Sequence, residues 1–301
     1  MRRTVRPPAL RTRSLSTPGA RAAFDRLVRV AAAVDGQAPF NDQALVDAEK
    51  GTRKLVFIVE PQESPSAAEH LVGAAILGED ELELVVDPEW RGSGYGGAAV
   101  AELLSDAPAG LKAWSHGDHP AARALARRFG FTPVRTLLQL RMPLQQSATT
   151  GTAFESFRPG VDEDEWVALN ARIFAHHPEQ GSITVDDLHA REAEEWFDPG
   201  DFLIARDEAG TMIGYNWLKI ENDLGEVYVV GVDAPGRGLG RSLMLAGLER
   251  MRQRGCTTAA LYVEADNTPA VALYRSLGFS DHTVDVQYVL GEPPAARHAE
   301  S

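Results

Sequence analysis

Two glycine turns are the first places in this chain where residue type and spacing point to chemistry. In one, Leu84-Val85-Val86-Asp87-Pro88 leads into Arg91-Gly92-Ser93-Gly94-Tyr95-Gly96. In the other, Val230-Gly231-Val232-Asp233-Ala234 leads into Arg237-Gly238-Leu239-Gly240. An apolar strand that feeds a Gly-rich turn and then a helix makes a cradle for phosphate. Glycine lets the backbone approach closely, and the free N–H groups and dipole of the helix start attract anions. A tight turn without a ligand is the competing reading of a bare Gly-x-Gly. Neither turn carries the Lys-Ser/Thr of a P-loop. Neither follows the first strand of its unit, where a dinucleotide fingerprint belongs. What remains is a pyrophosphate-bearing ligand of another kind.

The two turns belong to a repeat. Gly94 to Gly238 and Gly96 to Gly240 are both offsets of 144, and residues 119–131 (HPAARALARRFGF) echo residues 267–279 (NTPAVALYRSLGF) at an offset of 148. One unit has been used twice. The spacing predicts domains at 18–143 and 154–291, a linker at 144–153, a disordered Arg-rich start at 1–17 and a tail at 292–301. Helices are expected at 18–34, 163–174 and 185–196, and strands at 55–59, 72–77 and 81–86, matched by 202–205, 213–220 and 226–232. Each glycine turn opens a helix. A short strand (112–115; 258–263), a short helix ending in Gly-Phe and a last strand then close each unit. Strands alternating with helices predict an α/β (α+β) fold, each unit a mixed twisted sheet flanked by helices.

Charge narrows the function. Lys and Arg number 30 against 43 Asp and Glu, a net −13, and six arginines precede the first acidic residue, Asp25. The body is therefore more acidic than the whole, which disfavours nucleic acid as a partner. The apolar run at 55–59 is as long as any in the chain, so no segment is expected to span a membrane. The Arg-rich start lacks the apolar core of a secretory signal. A single cysteine, Cys256, fits a reducing cytoplasm.

The loop at 91–96 resembles the Arg/Gln-x-x-Gly-x-Gly/Ala loop of GNAT-type N-acetyltransferases, and Asn267, Tyr274 and Gly278-Phe279 resemble the region of that fold that holds the cofactor thiol. More specifically, the chain is similar to the tandem-GNAT mycothiol synthase family. The similarity is carried by His177-Pro178-Glu179-Gln180-Gly181, Trp196-Phe197-Asp198-Pro199, Gly225-Glu226-Val227-Tyr228-Val229 and residues 261–267 (LYVEADN). The resemblance implies two tandem GNAT-like domains. It implies acetyl transfer from acetyl-CoA to the cysteinyl amine of desacetylmycothiol, a small thiol-sugar. It places cofactor contacts at Leu84, Val85, Val86, Arg91, Gly92, Ser93, Gly94, Tyr95 and Gly96 in the first half. In the second half they fall at Val230, Gly231, Val232, Arg237, Gly238, Leu239, Gly240, Arg241, Asn267 and Ala270. Acceptor contacts carry over to Asp42, Glu179, Lys219, Glu226 and Tyr262. One departure is a shorter second loop, in which Pro235-Gly236 replaces the usual Gln/Arg and proline offers no N–H.

By the same resemblance Glu226 is the candidate base and Tyr274 the candidate acid. An α-amino group has a pKa of about 7.7–8.0, so a modest base suffices. A phenol near pKa 10 keeps its proton at neutral pH and can give it to a departing thiolate. Aligning Gly130 with Gly278 places Ala126 opposite Tyr274. The first half is thus expected to bind a second acetyl-CoA without catalysing, with Asp80 the nearest counterpart of Glu226. The competing readings are helix capping for Asp42, a snorkelling strand residue for Lys219, a solvated strand-edge acid for Glu226 and a core ring for Tyr274. His116 and His119 read as loop residues, Cys256 as structural, and no metal is expected. The chain is expected to be a monomer, since a repeat has less reason to dimerise. Two rival functions stand beside this one: an acetyltransferase for another small amine or peptide N-terminus, and a non-catalytic acetyl-CoA-binding module.

Overall fold

The computed structural model describes residues 7–61, 69–105, 107–144, 153–176, 180–233, 236 and 238–291. In chain order the first elements are β1 (Ala9–Arg13), α1 (Pro18–Asp35), α2 (Asp42–Lys50), β2 (Lys54–Val59), β3 (Leu71–Leu77) and β4 (Glu81–Val86). Then come α3 (Tyr95–Leu103), β5 (Lys112–Ser115), α4 (Pro120–Phe129) and β6 (Phe131–Pro143). The second half continues with β7 (Glu155–Ser156), α5 (Glu163–Ile173), α6 (Val185–Glu192), β8 (Phe202–Arg206), β9 (Met212–Glu221) and β10 (Leu224–Val232). It ends with α7 (Leu239–Gln253), β11 (Thr258–Glu264), α8 (Thr268–Ser276) and β12 (Ser280–Leu290).

The chain divides into two compact units, and their boundaries differ from the contiguous halves that the repeat suggests. The first unit runs to Leu137 and resumes at Thr283; the second spans Leu138–His282. Residues 138–143 of β6 therefore belong to the second unit, and residues 283–290 of β12 to the first. In the first unit β12 pairs antiparallel with β5, Val286 opposite Ser115, and Val286 and Tyr288 join its buried core. In the second unit Leu140 and Met142 of β6 join a core with Met251, Leu261 and Tyr274. Strand exchange depends on contacts far apart in sequence, and local patterning carries no trace of it.

Within the first unit β1 to β4 form antiparallel neighbours and β5 joins β4 in parallel. After the exposed Lys54, β2 is wholly apolar and is covered on both sides. Leu55, Phe57 and Val59 pack beneath α1 and α2, while Val56 and Ile58 face the opposite cores. Helix α1 begins with Pro18, whose fixed φ suits a first turn, and ends at Gly36 in the left-handed region. Part of the start expected to be disordered is a strand: β1 pairs with β2 and Arg13 bridges Glu69 at 2.6 Å. Residues 1–6 and 292–301 lie outside the described residues, as do 145–152 of the expected linker. Leu144, at the linker's edge, is buried and its N–H donates to the Thr257 carbonyl.

The second unit repeats the plan, with β8, β9 and β10 antiparallel and β11 parallel to β10. One face is covered by α7 and α8 and the other by α5 and α6. On the latter, Trp217 is fully buried and stacks on Phe202 at 4.5 Å, with the Trp166 ring perpendicular at 5.7 Å. The helix expected at 185–196 stops at Glu192, so Trp196-Phe197-Asp198 lies in the turn beyond it.

Candidate active site

Parallel strands that part create an opening in a sheet, and each unit has one. In the first, β4 and β5 pair only at Glu81–Leu82 with Lys112–Ala113. Beyond those rungs a cleft of about 390 Å3 opens between Leu84, Val85 and Val86 on one side and Trp114, Ser115 and His116 on the other. Gly92, Gly94, Tyr95 and Gly96 complete its wall, while Ser93 stands on the loop outside the lining. Gly94, at φ +90°, is the N-cap of α3, a conformation that excludes ordinary side chains. Arg91 clamps this loop: its guanidinium grips Asp35 through two bonds of 2.6 and 2.7 Å and donates to the Val86 carbonyl at 3.0 Å. Its side chain thus shapes the cradle through protein partners.

In the second unit β10 and β11 pair from Leu224/Thr258 to Val227/Leu261 and then part. A bulge at Tyr228 sits at that point, between the rungs Val227–Leu218 and Val229–Trp217. It reverses the alternation, so Val227 joins the core under α7 while Val229, two residues on, joins the core under α5 and α6. Past the bulge, Val230, Gly231 and Val232 pair with β9 but not with β11. Gly238 caps α7 at φ +80°, with Leu239 and Gly240 opening the helix. Arg237 lies outside the described residues. Arg241 ties α7 to α8 through the Ser276 hydroxyl at 2.9 Å, and Asn267 caps α8 by accepting from the Ala270 N–H at 3.3 Å.

Glu226 and Lys219 stand directly opposite one another across the β10–β9 ladder, on the face covered by α5 and α6. Lys219 also bridges Glu221 at 3.1 Å and lies 5.6 Å over the Trp196 ring. On the other face, Tyr274 is 8 % exposed, its ring edge-on to Phe279, and burial pushes its phenol up to about 12. Tyr262 is exposed and its hydroxyl accepts from Gln139 at 2.6 Å. Glu179 lies outside the described residues. Asp42 belongs to the first unit, exposed in the first turn of α2; the cap there is Asn41, whose side chain accepts from the Ala44 N–H at 2.7 Å.

The bulge corrects one expected equivalence. The bonds from Asp87 N–H to the Val72 carbonyl and from Asp233 N–H to the Ile213 carbonyl mark the same rung in both units. Counting back along the ladders, the extra residue at Tyr228 places Glu81 opposite Glu226, where sequence offset suggests Asp80. Glu81 is held by Arg53 at 2.7 Å, and Ala126, opposite Tyr274, has no proton to give.

The first unit instead holds a half-buried ion cluster around the buried Glu83 that the motifs leave unseen. His116 lies between Glu83 and Asp285, 3.1 Å from each, and Asn41 donates to Glu83 from both its backbone and its side chain. Burial alone lowers the imidazole's proton affinity, but the hydrogen bonds to Asp285 and Glu83 outweigh it and raise the pKa to about 9. The signal available in sequence is Glu83 itself. It shares strand parity with core-facing Val85, so it points into a core and needs a polar partner.

The profile of the Acetyltransferase (GNAT) family matches residues 39–131 and 169–279. The mycothiol acetyltransferase of Thermobispora bispora is 42% identical over 300 residues, covering 90% of this chain and 96% of that one. That of Clavibacter sepedonicus is 46% identical over 274 residues, covering 86% and 88%. Among solved structures, a GCN5-related N-acetyltransferase from Sphaerobacter thermophilus superposes with a TM-score of 0.70 at 22% identity, covering 97% of this chain and 99% of that one. A tandem GNAT protein from the clavulanic acid biosynthesis pathway gives 0.66 at 16%, covering 96% and 99%. These two establish likeness of fold.

Proposed function

Because the chain belongs to the mycothiol acetyltransferase family, within the GNAT acetyltransferases, we propose that its second unit acetylates the cysteinyl amine of desacetylmycothiol from acetyl-CoA. The observation that carries this reading is the parting of β10 and β11 beside the Glu226–Lys219 pair, with a left-handed glycine capping the next helix. The positive end of α7 and its unpaired N–H groups suit a pyrophosphate in a chain whose net charge is −13. Backbone groups of β10 freed by the parting suit the thioester carbonyl, and preorganised donors there stabilise the oxyanion.

Glu226 removes a proton from the acceptor ammonium, through a water, and the free amine attacks the thioester carbon. The new C–N bond forms as the C–S bond breaks; Tyr274 supplies the proton that the sulfur gains, and the surplus proton on the acylated nitrogen passes through water to the Tyr274 phenolate, which leaves a neutral amide and restores the acid. Burial raises the Tyr274 phenol, so it keeps its proton at neutral pH until a thiolate develops beside it. Glu226 and Tyr274 lie on opposite faces of the sheet, and the gap between the parted strands is the route between them.

The first unit holds a second acetyl-CoA in its cleft and does not turn it over, because Glu81 is engaged by Arg53 and Ala126 replaces the acid. The reading extends to a monomer in a reducing cytoplasm, in keeping with a lone, buried Cys256. The test is thiol release from acetyl-CoA with desacetylmycothiol against a panel of small amines and peptide N-termini. A rate for desacetylmycothiol far above the panel supports the assignment. Equal rates favour a general amine acetyltransferase, and no rate despite tight binding favours the binding module.

A further inference from the structure

The turn that follows α6, Trp196-Phe197-Asp198-Pro199, has no part in the chemistry so far, yet the fold holds it firmly. Asp198 accepts from the Gly200 N–H at 2.8 Å and from Arg254 at 2.6 Å, and the buried Asp201 accepts from Arg250 and Arg254 at 2.7 and 2.6 Å. Phe197 sets its ring against Trp217 at 5.9 Å. These contacts deliver the Trp196 ring to the Glu226 side of the sheet, 5.8 Å from Trp217 and 5.2 Å from Tyr228, the bulge residue. Arg191 of α6 steadies Tyr228 by donating to its hydroxyl at 3.1 Å.

Trp196 differs from the other two tryptophans of this unit. Trp166 and Trp217 are fully enclosed, whereas Trp196 is only partly buried and lies 5.6 Å from a cation, the Lys219 ammonium. An indole is the strongest aromatic partner for an ammonium, and the attraction grows as water is excluded. A lysine on a flexible four-carbon stem is otherwise a mobile point charge. Here its position is set from two sides, by Glu221 at 3.1 Å and by the ring.

We propose that Trp196 is a positioning residue for the acceptor: its ring holds the Lys219 ammonium beside Glu226, so that a polyhydroxylated amine meets a fixed cation next to the base. The proposal rests on the reading of Lys219 as an acceptor contact. Trp196 acts through Lys219, so its loss weakens acceptor binding and leaves the acetyl-CoA side untouched.

The test is steady-state kinetics of the full chain with desacetylmycothiol, comparing Trp196→Leu, Trp196→Phe, Lys219→Met and the double variant Trp196→Leu/Lys219→Met. Trp196→Leu is expected to raise acceptor KM about tenfold, with kcat and acetyl-CoA KM within about threefold of wild type. Trp196→Phe, with a weaker ring, falls between and serves where the leucine variant fails to fold. In the double variant the losses do not multiply, because the tryptophan acts through the lysine. Multiplying losses overturn the proposal, as does a variant that changes kcat and both KM values together. Absence of wild-type turnover with desacetylmycothiol overturns the acceptor reading as well; failed coupling in an active wild type overturns the positioning role alone.

Discussion

Replacing His116 with glutamine tests the half-buried ion cluster of the first unit, and the structure sets the size of the effect. The imidazole is enclosed between Glu83 and Asp285, with Asn41 and the Gly117 N–H completing the carboxylates' hydrogen bonds and the Trp114 ring stacked at 6.2 Å. Its pKa rises from 6.5 to about 9. At about 1.4 kcal/mol per unit, a shift of that size is worth on the order of 3 kcal/mol of stability. Because the folded state binds the proton more tightly, the contribution is full below pH 6.5 and is lost as pH rises through 9. Urea unfolding between pH 6 and pH 10 should show wild type losing this increment across that window. His116→Gln should lack the slope and be less stable at pH 6, since Glu83 then stays buried without its cation. Parallel pH profiles for the two proteins would refute the reasoning, because the cluster would then carry no proton-linked stability.

Other expectations follow from the two sites. Tyr274→Phe should lower kcat by roughly 10²-fold while leaving acetyl-CoA KM nearly unchanged, and an unchanged rate removes Tyr274 as the acid. Gly238→Ala forces a Cβ onto a residue at φ +80° and should cost about 1 kcal/mol while raising acetyl-CoA KM in the turnover assay. Gly94→Ala in the first unit carries the same strain, at φ +90°, and should weaken one of two acetyl-CoA equivalents about tenfold by calorimetry while sparing turnover. Trp217→Ala empties the aromatic core beneath the acceptor face and should destabilise the chain by about 3–5 kcal/mol in thermal unfolding.

The glycine turns and the strands leading into them were legible because their signals are local. Gly94 and Gly238 stand at positive φ as helix N-caps, where spacing placed them, and β4 occupies Glu81–Val86 as read. Three features were not legible, each for a physical reason. The exchange of β6 and β12 is written in pairings such as Val286 with Ser115, which no local pattern encodes. The bulge at Tyr228 carries no glycine and no break in hydrophobicity, yet it reverses the facing of every residue before it and moves the counterpart of Glu226 from Asp80 to Glu81. The cluster of Glu83, His116 and Asp285 joins residues from three remote segments. Composition alone hides the strand in the Arg-rich start: the backbone of residues 9–13 pairs with β2, and pairing outweighs charge there.

The most direct test of the central claim compares Glu226→Gln with Glu81→Gln in acetyl transfer to desacetylmycothiol across pH. The account predicts that Glu226→Gln loses roughly 10²-fold at pH 7 and recovers towards pH 9, where the acceptor amine loses its proton unaided, while Glu81→Gln matches wild type throughout. A silent Glu226→Gln, or a loss confined to Glu81→Gln, would contradict the assignment of the chemistry to the second unit.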